Sequence, residues 1–143
     1  MNTAVLICTH GKAGVEMLRS VKMIMGPSDN VRVLDFLPGE NTDSLVEKYK
    51  KELEALDTSD GLLILVDLFG GSPFNAGARI AMELPDTELV AGVNIPMLLE
   101  IMAQRSLTPL AELARLAVET GKMSVQLFDQ ALKKKDEVEE DEL

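Results

Sequence analysis

At 143 residues, 46% of them hydrophobic, the chain is long enough for one domain with a sizeable core. A formal net charge of −10 repels phosphate backbones and excludes nucleic acid as an expected partner. Tryptophan is absent and only 3% of residues are aromatic, so aliphatic and methionine side chains must fill the interior, and the lone Cys8 can make no internal disulfide.

The elements follow one another with a regular beat. "TAVLICT" (Thr3 to Thr9) is a short apolar run with the character of a strand covered on both faces. Val15, Leu18, Val21, Ile24 and Met25 then follow helical spacing until Gly26-Pro27 stops them. "VRVLDFL" (Val31 to Leu37) predicts a second strand, and Val46, Tyr49, Leu53 and Leu56 a second helix, capped by Thr42 or Asp43. "GLLILVD" (Gly61 to Asp67) is the third strand; its Leu62 to Val66 is the longest apolar stretch and far too short to cross a bilayer. Ser72-Pro73 reads as a capping hydroxyl before a first-turn proline, opening a third helix. "ELVAGV" (Glu88 to Val93) is a fourth strand, and Thr108-Pro109 opens a last helix that Gly121 closes.

The order βαβαβαβα predicts a doubly wound α/β domain of three layers, α/β/α, with a mainly parallel sheet. "MSVQLFDQALKK" (Met123 to Lys134) is either a final helix or an edge strand. Residues 1–130 form the expected domain and residues 131–143 a charged tail or linker stub; "KKKDEVEEDEL" alone holds three lysines and six acids. No basic segment, long apolar run and cleavage site open the sequence, so a cytoplasmic domain without signal peptide is expected.

In an open α/β sheet, ligands bind beyond the carboxyl ends of the strands. Three loops lie there: Thr9-His10-Gly11, "DLFGGSPFN" (Asp67 to Asn75) and "GVNIPM" (Gly92 to Met97). The only histidine, His10, therefore falls on the functional edge. Its imidazole is nucleophilic at whichever nitrogen is free, and a carboxylate accepting from the other would fix the tautomer. Asp67, ending the strand expected beside the first, is the candidate partner. Gly70 and Gly71 offer backbone donors close to a helix start, the "HGKAG" loop offers donors opposite, and Thr9, Gly11 and Ser72 complete the expected phosphoryl pocket. A metal centre is not expected, because one His and one Cys fall short of a zinc ligand set. "GGSPF" lacks the G-x-S-x-G elbow of a serine hydrolase, and neither glycine loop has a nucleotide-binding spacing. Ser72 is read as a helix cap that also faces the pocket, and Phe69 as a partner-docking contact or a lid. Cys8 is read as a buried small hydrophobe, the eight methionines as core filler, and Asn94 as a residue that shapes its turn.

"THG" after the first strand, "DFLPGEN" (Asp35 to Asn41), "LVDLFGGSPFNA" (Leu65 to Ala76) and "AGVNIPMLLE" (Ala91 to Glu100), in that order, resemble the mannose-family EIIA domain of the bacterial phosphotransferase system. The likeness runs from residue 1 to about residue 130, and the set of four is specific where "THG" alone is weak. The resemblance implies a phosphoryl carrier. His10 would take the group from phospho-HPr and pass it to a IIB component, which phosphorylates sugar entering through the membrane components IIC and IID. It further implies that Asp67 hydrogen-bonds the active imidazole and that the Gly70 to Pro73 turn lies beside the phosphoryl group. No diffusible cofactor is implied. A homodimer exchanging a C-terminal strand is implied, as is a location peripheral to the permease through IIB. A subunit serving dihydroxyacetone phosphorylation and a His-phosphorylated regulatory module are the alternatives.

Overall fold

The computed structural model describes residues 1–129. Four strands, β1 (Ala4–His10), β2 (Val31–Phe36), β3 (Leu62–Val66) and β4 (Thr87–Ala91), form one parallel sheet in the order β2-β1-β3-β4. Five helices connect and follow them: α1 (Ala13–Met25), α2 (Thr42–Leu53), α3 (Ser72–Glu83), α4 (Ile95–Gln104) and α5 (Leu110–Met123). Because side chains alternate across a strand, β1 and β3 feed two cores at once. Val5, Ile7, Leu63 and Leu65 pack with Val21 of α1, Leu98 and Ile101 of α4 and Leu113 of α5. Leu6, Cys8, Ile64 and Val66 pack with Leu45 and Tyr49 of α2 and Ala76 and Ile80 of α3. Each large apolar side chain so buried contributes about 1.5–3 kcal/mol. The result is the expected three-layer, doubly wound α/β domain. Among the described residues no helix is long and apolar enough to cross a membrane.

The strand order locates the mouth. From β1 the chain runs to β2 on one side and returns to β3 on the other, so the loops leaving β1 and β3 part at their carboxyl ends. Cys8 pairs with Val66 and His10 with Phe36, so β1 outruns β3 by two residues and lifts His10 to the rim.

Several sequence expectations are corrected. A fifth helix, α4, stands between β4 and α5; Asn94 caps it, its Oδ1 accepting from the Met97 N–H at 2.9 Å, and Pro96 sits in its first turn. The turn-shaping role read for Asn94 is thus a helix cap. Asn41, rather than Thr42 or Asp43, caps α2 in a reciprocal pair with Ser44, at 2.8 and 3.1 Å. Ser72 is the first residue of α3 and makes no capping bond, Gly71 standing in the cap position. Pro109 occupies the cap position of α5, its ψ of 154° still extended, so Thr108 caps nothing. Gly121 does not close α5; it is buried inside it, where a Cβ would stand 2.8 Å from the Met97 methyl. Only Met97 and Met102 are buried among the methionines, while Met1, Met23, Met25, Met82 and Met123 are exposed. Of Met123 to Lys134, read as a final helix or an edge strand, residues 123–129 are described: Met123 ends α5 and none of them lies in a strand, while the rest of that segment and the whole tail 131–143 fall outside the described residues.

Candidate functional site

His10 is the last residue of β1, and its environment follows from β1 outrunning β3. Beyond Val66 the backbone of His10 has no strand partner on that side, and Asp67 supplies one. Asp67 Oδ2 accepts the His10 backbone N–H at 3.0 Å and lies 2.9 Å from Nδ1 of the ring. The second oxygen, Oδ1, accepts the Leu68 N–H at 3.0 Å. A carboxylate only accepts, so Nδ1 must carry the hydrogen and Nε2 keeps its lone pair. The ring is also braced edge-on by Phe36, centroids 5.5 Å apart and planes at 90°. Two neighbours, one on each flanking strand's end, thus fix the imidazole while leaving the side chain 45% exposed.

The third side of the ring is bounded by the turn before α3. A Cβ at Gly71 would come within 3.2 Å of His10 Cε1 and 3.8 Å of Nε2. Gly70, at φ +84°, makes the turn that brings α3 there, a conformation glycine adopts without strain. The first turn of α3 presents its positive end; Ser72 and Phe74 have N–H groups in it and Pro73 has none. The buried Tyr49 of α2 holds this turn from behind, its hydroxyl donating to the Pro73 carbonyl at 2.9 Å. Beneath lies Cys8, fully buried in the same core as Tyr49; burial pushes its thiol up to about 12, so it is an apolar filler as read from the sequence.

The fourth side is a turn inside "DFLPGEN", a stretch the sequence reading quoted but gave no part in the site. Leu37-Pro38-Gly39-Glu40 closes with the Glu40 N–H donating to the Leu37 carbonyl at 3.1 Å, Gly39 at φ +86°. The Glu40 carboxylate accepts the Leu37 N–H at 2.8 Å and the Lys48 ammonium at 2.9 Å, and Lys48 also donates to the Asp35 carbonyl at 2.6 Å. The bond from Lys48, then that from Leu37, hold Glu40 below the usual carboxylate range. His10 opens on this side into a depression of about 340 Å³ walled by Phe36, Leu37, Pro38 and Glu40. Asp67 opens into another of about 350 Å³, lined by Leu68, Phe69 and Phe74. Phe69 leans on Phe74 at 4.6 Å yet is 84% exposed, and Leu68 beside it is exposed too. A separate apolar cleft of about 340 Å³ between α1 and β2 shares no residue with these.

The structure thus gathers His10, Asp67, Gly70, Gly71 and Ser72 at one mouth. Thr9 and Gly11 stand differently. Thr9 is buried, its hydroxyl accepting the Gly14 N–H at 2.7 Å, and so anchors the start of α1 behind the ring. Gly11 directs its N–H to the Phe36 carbonyl at 2.8 Å and turns the chain at φ +56°. Phe36 and the Glu40–Lys48 pair are the site residues the sequence reading missed. "LPGE" carried a turn signal, a proline followed by a glycine, but no spacing announces the lysine eight residues on.

Residues 4–118 match the profile of the family described as PTS system fructose IIA component. The chain is 48% identical over 127 residues to the PTS system mannose-specific EIIAB component of Escherichia coli (strain K12), covering 88% of this chain and 39% of that protein. It therefore spans well under half the length of that relative. Over 131 residues it is 34% identical to the PTS system fructose-specific EIIA component of Bacillus subtilis (strain 168), covering 92% and 90%. Among solved structures, the PTS IIA protein associated with the fucose utilization operon from Streptococcus pneumoniae superposes with a TM-score of 0.79 at 29% identity, covering 92% and 97%.

Proposed function

The chain belongs to the family described as PTS system fructose IIA component, and on that premise we propose that it is a phosphoryl carrier in sugar uptake. It accepts a phosphoryl group from phospho-HPr on His10 and passes it to a IIB component. The observation that carries this reading is the double engagement of Asp67 Oδ2 by His10, which leaves Nε2 as the free, nucleophilic nitrogen.

In the transfer, the phosphorus–nitrogen bond of the donor histidine breaks as the bond to Nε2 forms, and the departing electron pair returns to the donor imidazole. The Nδ1–H stays in its bond to Asp67, whose negative charge stabilises the ring as phosphorylation draws electron density from it. The backbone N–H groups at the positive end of α3 meet the oxygens of the transferring group. Transfer of this kind needs positioning and charge stabilisation more than covalent help, and the two braces on the imidazole supply the positioning. Leu68 and Phe69, exposed beside Asp67, suit contact with a partner protein that must bring its own histidine to the same mouth.

The carrier is further proposed to work in the cytoplasm, meeting the permease through IIB, and to act as a homodimer. β4 ends the sheet with its outer edge unpaired among the described residues. Val125, Leu127 and Phe128, just past α5, are exposed apolar side chains that a second copy would cover, which supports an exchanged C-terminal strand.

Intact-mass spectrometry after incubation with phosphoenolpyruvate, enzyme I and HPr tests the carrier directly. One phosphoryl adduct is expected, lost in acid and absent from His10→Ala. No adduct with competent donors, or an adduct that persists in His10→Ala, would overturn the reading.

A further inference from the structure

We propose that Lys12 is the counter-ion of the phosphoryl group carried on His10; this rests on the phosphohistidine reading and deepens it. Besides His10, the four mouth loops, residues 9–14, 35–41, 67–75 and 91–97, carry three acids, Asp35, Glu40 and Asp67, and one base, Lys12. Glu40 is matched by Lys48 from α2, and Asp67 is engaged by His10 and Leu68. Loading His10 adds roughly two negative charges close to Asp67, in a protein already at −10. That repulsion favours return of the group to its donor, and a cation nearby would offset it beyond what the N–H groups of α3 supply.

Lys12 is placed to be that cation. It stands in the cap position of α1 and makes no capping hydrogen bond. It is exposed, and its ammonium enters none of the ion pairs among the described residues. The Cα atoms of residues 10 and 12 are at most about 7 Å apart, within the range a flexible four-carbon stem covers. The position does nothing for the helix, because a cation at the positive end of α1 opposes its dipole. Among the described residues no ion pair or side-chain hydrogen bond uses the charge, and a phosphoryl dianion on His10, two residues away, would.

The test compares the full chain with Lys12→Met, Lys12→Arg and Lys12→Glu. Each is equilibrated with phosphoenolpyruvate, enzyme I and HPr, and the phosphoryl partition between HPr and the chain is read by intact mass at low and high salt. Lys12→Met is expected to hold about five- to thirtyfold less phosphoryl relative to HPr at low salt, the effect of one or two unit charges ~4 Å away acting through water. Lys12→Glu should hold less still, Lys12→Arg should match the parent, and the parent's advantage should shrink as salt rises. Lys12→Met should melt no lower than the parent. Partition unchanged in both Lys12→Met and Lys12→Glu overturns the counter-ion, as does a loss that tracks a fall in melting temperature. If the parent itself takes no phosphoryl group, the carrier reading fails instead.

Discussion

Asp67 Oδ2 takes hydrogen bonds from both the backbone and the ring of His10, so the side chain that orients the imidazole also ends the β1–β3 ladder. Gly71 offers a cleaner probe of the ring, because its backbone, φ −76° and ψ 175°, is open to any residue. Gly71→Ala should therefore fold and melt like the parent. Its methyl would press on Cε1 at 3.2 Å, and the ring, tied to Asp67, must shift by a few tenths of an ångström. Phosphorylation of His10 by phospho-HPr is expected to slow by about tenfold, a barrier increase of about 1.4 kcal/mol. Rapid-quench kinetics beside a thermal melt checks this, and a normal rate would show that Gly71 does not bound the path to Nε2.

Between strands and helices, the short connections carry much of the site's precision. The Leu37 to Glu40 turn is tied once across itself, by the Leu37 N–H on the Glu40 carboxylate, and once, through Lys48 on the same carboxylate, to α2. Glu40 is held charged to a lower pH than an ordinary carboxylate. A depressed folded value means the clamp is in force above the usual carboxylate range and fails as pH falls through the lowered one. Hydrogen exchange at the Leu37 amide should thus show protection at neutral pH that disappears in acid, after correction for intrinsic rates. Lys48→Met should weaken that protection at neutral pH as well. An amide equally protected in both proteins would mean that the type of turn alone, with Pro38 and Gly39, holds the loop.

Across the whole molecule, the site and the main polar fastening lie at opposite edges of the sheet. Arg105, at the end of α4, has a side chain only 7% exposed. Its guanidinium donates to the carbonyls of Thr3, Asp29 and Asn30 and to the Asp29 carboxylate, where β1 and β2 begin. Burial lowers its pKa, which Asp29 partly opposes. Arg105→Met would strand those acceptors and is expected to cost about 2–3 kcal/mol in urea unfolding. The rate of His10 phosphorylation in the folded fraction should be unchanged, because the partners of its guanidinium, Thr3, Asp29 and Asn30, lie at the amino ends of the strands, away from His10 and Asp67. A comparable loss of rate would mean the two edges are mechanically coupled.

The layered α/β fold and the pairing of His10 with Asp67 were legible in the sequence alone. The apolar runs of β1 and β3 are long enough to show burial on both faces, and the chain's one imidazole and the aspartate after β3 both fall at strand ends. Helix boundaries were less legible: Asn94 and Asn41 cap helices that the sequence reading either omitted or started elsewhere, because several adjacent residues could serve as caps and only backbone geometry selects one. The free nitrogen of His10, the Phe36 brace, the clearance at Gly71 and the Lys48 clamp were decided by tertiary structure. Periodicity and spacing describe neighbours along the chain, whereas these contacts depend on strand register and helix packing, which bring together residues far apart in sequence with ångström tolerance.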